Sequence, residues 1–305
     1  MKYHLQNLLR LPSFVSSYFL DFERSSYSVA RNHTLCDRIF SANIPPDDKR
    51  NAIVLGRMFA NLGQIYGLLS ESRLERDTLD ALFSYGVNAK LSDTVIDTHT
   101  SCSQKNLAQY AEMYFRDQIS GNELALTHIE NTLELQHKSK EQGKMSDMDL
   151  WNFSLAKGYE SVSALLCLVN PTPSCAEHTA MKSLGFIQII DDAIDKERDI
   201  FEGTETPITR ISHNELTKLF SLEYTTFQKT YANLSEFSET GRDNFLFYIH
   251  VCMLPGSSLV LLNKPQSALR NAYGDFRLTP KVFAHFPYKY CMARGLEYDF
   301  QSLCD

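Results

Sequence analysis

Proline and glycine divide the chain into long segments, and this spacing limits the folds it can adopt. The segments between these breaks are about 15 to 28 residues long, too long for ordinary strands and typical of α-helices. Alternation of apolar and polar residues, which predicts strands, is scarce. Glycine is also rare, at 13 of 305 residues, which favours helices over a chain with many tight turns. The expected breaks lie at Pro45-Pro46, Gly143, 170–173, 203–207, Gly241, Pro255-Gly256 and Pro287.

The apolar periodicity predicts helices along nearly the whole chain. Two capping boxes mark helix starts, Ser146 with Asp149 and Ser174 with Glu177. We therefore expect an all-α fold, a single-domain helical bundle of about ten helices over residues 1–305. The chain length alone also allows two domains. The expected helices are 52–69, 78–98, 106–119, 122–139, 146–169, 175–201, 215–234 and 244–253, followed by a poorly defined tail.

Charge, cysteine content and missing motifs argue against several classes of protein. There are 30 basic and 37 acidic residues, a net charge of −7, which argues against a nucleic-acid binder because phosphate contacts need a basic surface. Seven irregularly spaced cysteines without a CxxC pair indicate reduced thiols and a cytoplasmic location. No apolar run is long enough to predict a transmembrane segment. Dinucleotide, P-loop, zinc-protease and nucleophile-elbow motifs are absent.

Two places in the sequence carry unusual concentrations of aspartate. In the first, Asp93 and Asp97 are spaced by one helical turn near the expected end of the helix over 78–98. Like charges at this spacing destabilise a helix by roughly 0.2–0.5 kcal/mol, and the helix dipole also disfavours anions at this end. In the second, three aspartates lie on one helix face with a fourth beside them: Asp191, Asp195 and Asp199, and Asp192.

The second group follows a segment that is apolar nearly all round, so we expect a buried helix that ends in four carboxylates. Burying an unpaired charge costs roughly several kcal/mol per ion, so we expect cations to bind next to these carboxylates. Mg²⁺ suits this role because it prefers carboxylates, water and phosphate oxygens. Two opposed acidic helix ends would then hold several Mg²⁺ ions that bind a diphosphate group. The alternative is a solvated surface, in which Lys196 pairs with Asp192 and Arg198 pairs with Asp195.

These residues resemble motifs of the class I isoprenoid synthase superfamily. Residues 188–195, QIIDDAID, resemble the second aspartate-rich motif of trans-prenyltransferases, and residues 93–97, DTVID, resemble the first motif of squalene and phytoene synthases. Asp195 and Asp199, followed by Gly203 and Pro207, resemble the second motif of the latter enzymes and its loop. The segment 153–169 before the acidic helix is similar to bacterial large-terpene synthases. The specific resemblance covers residues 92–100 and 146–207.

The resemblance implies a helical bundle in which both motifs bind Mg²⁺ and hold a prenyl diphosphate. The first motif is DxxxD rather than DDxxD and no Arg-Arg follows it, which weakens the case for chain elongation. The tyrosine- and arginine-rich signatures of squalene and phytoene synthases are not visible, and the NDxxSxxxE metal motif is absent. A class I terpene synthase of the large-terpene type therefore fits best. The alternatives are a prenyltransferase that couples two prenyl diphosphates and a non-catalytic helical interaction protein.

The resemblance also assigns roles to individual residues. Gln188 either orients a ligand or is a hydrogen-bonded core amide, and Lys157 is either a diphosphate contact or a surface lysine. Near the C-terminus, Lys289, Tyr290 and Arg294 either close over the diphosphate or lie on the surface, and His99 is interpreted as a helix-end cap. The segment 4–22 is either a peripheral membrane contact or a first helix packed on the bundle. The implied metal ligands are Asp93, Asp97, Asp191 and Asp195, with Asp192 and Asp199 as further candidates.

Overall fold

The computed structural model describes residues 46–72, 74–98 and 121–262, and these residues form helices joined by short connections. Within these ranges there are nine α-helices and no strand, so the expected all-α class is confirmed for this part of the chain. The expected helix 106–119, the segment 4–22 and residues 287–294 lie outside the described residues. The α-helices are α1 Pro46–Gly67, α2 Arg76–Thr98, α3 Glu123–Lys138, α4 Asp147–Val169, α5 Cys175–Lys182, α6 Phe186–Glu202, α7 Pro207–Arg210, α8 His213–Ala232 and α9 Glu239–Leu262.

Side-chain caps define several of the helix starts. The Ser146 hydroxyl accepts a hydrogen bond from the Asp149 backbone N–H at the start of α4. Ser174 and Glu177 form a complete capping box at the start of α5, and Asn122 caps α3 through the Ala125 N–H. These side chains satisfy N–H groups that have no partner within the helix. The starts expected from Ser146 and Ser174 are therefore confirmed.

The expected single helix over 175–201 is wrong, because the structure divides it into two α-helices. A 3-10 turn, Ser183–Gly185, separates α5 from α6. At this turn the chain runs against the backbone of α4: a β-carbon on Gly185 would lie 2.5 Å from the Leu155 carbonyl oxygen. The acidic residues consequently begin in the second turn of α6 instead of lying at the end of a long helix.

The break expected at Pro255-Gly256 is also wrong, since α9 runs through it, and the break expected at Gly241 lies slightly earlier, over residues 233–238. Both glycines instead allow close packing. A β-carbon on Gly241 would lie 2.3 Å from the Leu69 carbonyl oxygen, and one on Gly256 would lie 2.2 Å from Cγ2 of Ile190. Tertiary packing therefore maintains α9 across residues that usually end helices.

The helices pack around a shared apolar core. Helix α2 packs along α1, and α4 contacts α1, α2, α3 and α6. Helix α9 packs against α6 and α8. Rings from α6, α8 and α9 fill the centre of this second group, with centroid separations from 4.6 to 6.3 Å. The fully buried members of this ring cluster are Phe186, Phe220, Phe227, Tyr231 and Phe245.

Helices α4 and α6 run antiparallel, and this orientation positions the acidic residues. Gly158 of α4 faces Gly185, while Ser154, one turn earlier in α4, faces Asp192, further along α6. Helix α7 packs against both helices, and Arg210 at its end bonds Asp147 at the start of α4. The acidic half of α6 therefore lies beside the first half of α4.

Candidate active site at an acidic helix face

Four aspartates of α6 form the candidate site, which we call the acidic stripe: Asp191, Asp192, Asp195 and Asp199. The first, third and fourth recur every four residues and share one helix face. Asp192 and Asp199 are buried, with only 8% and 5% of their surfaces exposed, and Asp191 and Asp195 are half-buried. Aspartate is rarely buried to this extent without a partner. The stripe is thus a buried acidic group and not a fully solvated helix face.

Asp192 is held by donors from two helices. The amide of Gln188, one turn earlier in α6, donates to Asp192 Oδ1 at 2.9 Å. The hydroxyl of Ser154 in α4 lies 3.3 Å from Asp192 Oδ2. Gln188 Nε2 also lies 3.3 Å from Asp191 Oδ2, so the same amide contacts two carboxylates. Gln188 is half-buried and bonds two carboxylates of the stripe, a placement that fits both of the roles considered for it.

Burial raises the pKa of Asp192 to about 7, from an ordinary value near 3.8. The positive charge of Lys157 and the hydrogen bond from Gln188 oppose this rise, whereas the charges of Asp191 and Asp199 add to it. Lys157 lies in α4, one turn after Ser154, and is half-buried. The structure therefore places Lys157 beside the stripe.

The other two shifted carboxyl groups behave in the same way. Burial, followed by the charge of Asp191, raises the pKa of Asp195 to about 7, while Arg198 and Lys90 lower it. Burial and the charge of Asp195 raise the pKa of Asp199 to about 6. Each shift means that the folded protein disfavours the charged carboxylate. An added cation would reverse this preference, and carboxylate oxygens are the kind of ligand that a hard metal ion such as Mg²⁺ prefers.

Arg198 forms an ion pair with the stripe. Its Nη2 lies 2.6 Å from Asp195 Oδ2, and its Nε lies 3.9 Å from Glu202. The Arg198 side chain is 57% exposed, so this pair alone adds little stability. One of the two ion pairs expected for a solvated surface is therefore present. This ion pair involves Asp195, so it does not compensate for the burial of Asp192.

Lys90, in the second half of α2, lies near the stripe. Lys90 is close enough to Asp195 for its charge to lower the pKa of that carboxyl group. Positions 93 and 97 follow Lys90 by three and seven residues in the same helix, a spacing that places them on the same helix face. The side chains of Asp93 and Asp97 lie outside what the structure describes. The approach of the first motif to the stripe therefore stays a prediction.

The described residues contain only part of the implied metal site. Among them, no three His, Cys, Asp or Glu side chains are grouped so that they could hold one metal ion. The hypothesis needs ligands from α2 as well as α6, and the α2 pair is not described at side-chain level. His99, Lys289, Tyr290 and Arg294 also lie outside the described residues.

Two neighbours of the stripe were not predicted from the sequence, Ser154 and Lys90. Ser154 lies 38 positions before Asp192, and no local motif connects the two residues. Lys90 carries a weak signal, because it precedes Asp93 by one turn in the same helix. The packing of α4 against α6 places Ser154 beside Asp192, and the effect of the Lys90 charge on Asp195 places Lys90 near the stripe.

Comparisons with protein-family models, with curated proteins and with solved structures found no match to this chain. None of the helices in the described ranges combines the length and the apolar character needed to cross a bilayer.

Proposed function

We propose that this chain is a class I terpene synthase that ionises a prenyl diphosphate with Mg²⁺ and then cyclises the carbocation or eliminates a proton from it. The observation that supports this proposal is the acidic stripe, in which Asp192 is buried and the pKa values of Asp192 and Asp195 are both raised. Such an arrangement has a cost in a metal-free protein and becomes favourable when cations bind. The motif resemblance, which rests partly on the same aspartates, supports the same assignment.

The proposed metal ligands are Asp93 and Asp97 on α2, and Asp191 and Asp195 on α6. Bound Mg²⁺ would stabilise the negative charge that develops on the diphosphate as it leaves. Asp192 and Gln188 orient the neighbouring carboxylates through their hydrogen bonds. Lys157, whose charge lies beside Asp192, is the proposed diphosphate contact from α4.

The face of α6 away from the acids is apolar and packs on the ring cluster of α8 and α9, which anchors the helix in the core. A resonance-stabilised allylic cation needs apolar and aromatic surroundings with little water, and the proposal requires them on the acidic side of α6. A second candidate, a non-catalytic helical protein, is favoured by the Arg198–Asp195 ion pair, which neutralises part of the stripe without metal.

Incubation with prenyl diphosphates of increasing chain length, with Mg²⁺ or with EDTA, tests the proposal. We expect diphosphate release and a hydrocarbon or alcohol product only with Mg²⁺. A product with the carbon count of one substrate indicates a terpene synthase, and the carbon count of two indicates the coupling reaction. Asp191→Asn combined with Asp93→Asn should lower diphosphate release by about a hundredfold or more.

Asp243→Asn is a matched control, because Asp243 is an exposed aspartate of α9. It should leave the rate of diphosphate release unchanged. Full activity of the double variant, or no release from any substrate, contradicts the proposal. The non-catalytic candidate predicts that Mg²⁺ with a diphosphate analogue leaves the melting temperature of the protein unchanged, whereas ligand binding to the folded state should raise it.

A further inference from the structure

One buried hydroxyl connects α4 to the acidic stripe. Ser154 is only 1% exposed, and its Oγ lies 3.3 Å from Asp192 Oδ2. A serine hydroxyl carries a single hydrogen, and Ser154 donates this hydrogen to Asp192 Oδ2. Asp192 is itself buried, so water is a poor substitute for this donor.

Asp192 is connected to a second carboxylate, Asp191, through Gln188. Its other oxygen, Oδ1, accepts from Gln188 Nε2 at 2.9 Å, and that nitrogen lies 3.3 Å from Asp191 Oδ2. A primary amide has two N–H groups, so Gln188 can donate to both carboxylates at once. Ser154, Asp192, Gln188 and Asp191 thus form a continuous polar chain from α4 to the half-buried edge of the stripe.

Backbone packing holds this chain in place. Gly158 lies one turn after Ser154 in α4, and a β-carbon there would lie 3.0 Å from the Gln188 β-carbon. The stem of Gln188 is therefore packed directly against α4. With the stem fixed, the direction of the Gln188 amide depends mainly on its two carboxylate acceptors. A change at Asp192 should consequently move the amide and alter its bond to Asp191.

We infer that Ser154 is a positioning residue that sets the orientation of the Asp191 carboxylate through Asp192 and Gln188. The consequence for metal binding rests on the proposed function, in which Asp191 is a ligand. Hydrogen-bond partners of metal ligands commonly change metal affinity by about 10- to 100-fold. Ser154 acts through two intervening side chains, so we expect an effect at the lower end, about tenfold.

The test compares Ser154→Ala with Ser163→Ala in the full chain. Ser163 is also a fully buried serine of α4, and it lies about two and a half turns further along the helix than Ser154. The first readout is the pair of side-chain amide NMR signals of Gln188 in metal-free protein, identified by their loss in Gln188→Met. The second is the affinity for Mn²⁺ alone, measured by electron paramagnetic resonance. Ser154→Cys, which keeps most of the volume but supplies a weak donor, replaces alanine if that variant is unstable.

We expect the Gln188 amide signals to shift or broaden in Ser154→Ala and to be unchanged in Ser163→Ala. The affinity for Mn²⁺ should fall about tenfold in Ser154→Ala only. Unchanged Gln188 signals in both Ser154 variants overturn the inference, whatever the metal result. If the Gln188 signals shift in Ser154→Ala but the wild-type protein binds no Mn²⁺, the positioning role is supported and the proposed function is contradicted.

Discussion

Gly158 of α4 and Gly185 at the start of α6 lie in direct backbone contact: a β-carbon on Gly158 would lie 2.2 Å from the Gly185 carbonyl oxygen. Two glycines are needed for helices to approach this closely. The contact brings Ser154 and Lys157 of α4 within reach of Asp192. The geometry of the candidate site therefore depends on a packing contact that contains no catalytic group.

The first prediction concerns this contact. Gly158→Ala should lower the free energy of unfolding by about 1–3 kcal/mol, because the added methyl group must push backbone apart in a packed interior. Chemical denaturation followed by circular dichroism measures the change. Gly143→Ala is the control, since its β-carbon would lie no closer than 3.9 Å to a neighbouring side chain. Equal stability of the two variants would show that α4 and α6 are not in backbone contact.

Local signals in the sequence predicted much of the helical structure. The Ser174–Glu177 capping box and the apolar period of 122–139 and 215–234 depend on residues within a few positions of one another, and the corresponding helices were found. The acidic stripe was also predicted from spacing alone, because every fourth residue shares a helix face.

Features that depend on long-range packing were not predicted. The expected helix 175–201 was wrong because Gly185 meets α4 there, and α9 continues through Pro255 because Gly256 packs on Ile190. The burial of Asp192 and its contact with Ser154 likewise join residues far apart in sequence. The glycines therefore do lie at positions with unusual backbone requirements, but the sequence alone does not show whether such a position is a helix end or a close contact between helices.

The second prediction concerns the pH dependence of stability. Burial raises the pKa of Asp192 to about 7, above its ordinary value near 3.8, so between these pH values the folded protein keeps a proton that the unfolded chain has released. The free energy of unfolding should therefore fall as pH rises through this window. Asp192→Asn removes this titration, so the total loss in the free energy of unfolding across this pH window should be smaller by about 1–3 kcal/mol. Urea titrations in EDTA at successive pH values measure it.

Asp195 and Asp199 contribute with the same sign, so the fall in Asp192→Asn should be smaller but not absent. Asp243→Asn, at an exposed position, should keep the wild-type pH profile. Mg²⁺ at neutral pH should restore part of the lost stability of the wild-type protein, because bound cations favour the charged carboxylates. A pH profile that is identical in Asp192→Asn and wild type contradicts the burial of a titrating Asp192.

The third prediction has the opposite sign and concerns His178 in α5. Its Nε2 lies 2.8 Å from the Tyr159 hydroxyl. Burial, then the charges of His128 and Lys182, lower the pKa of His178, with Glu160 opposing them. The unfolded chain therefore takes up a proton first, and the free energy of unfolding should fall as pH drops below about 6.5.

His178→Gln should reduce this loss of stability in acid, because glutamine can accept the Tyr159 hydrogen bond without becoming charged. His213→Gln is the matched control, since His213 is exposed at the first residue of α8. Urea titrations of the three proteins across mildly acidic pH compare them. If His178→Gln loses as much stability in acid as the control does, His178 is not in a neutral, hydrogen-bonded environment.

The fourth prediction concerns Lys157 as the proposed diphosphate contact. Lys157→Gln removes a positive charge beside Asp192, so it should weaken binding of inorganic diphosphate in the presence of Mg²⁺ by roughly tenfold or more, the value of one charge-assisted hydrogen bond. Isothermal titration calorimetry with diphosphate measures the change. Lys144→Gln, at a lysine whose side chain is 82% exposed, should bind diphosphate as the wild type does. A lysine that contacts the ligand cannot lose its charge without lowering the affinity. Equal diphosphate affinity in the two lysine variants would therefore show that Lys157 does not contact the diphosphate and that other cations bind it.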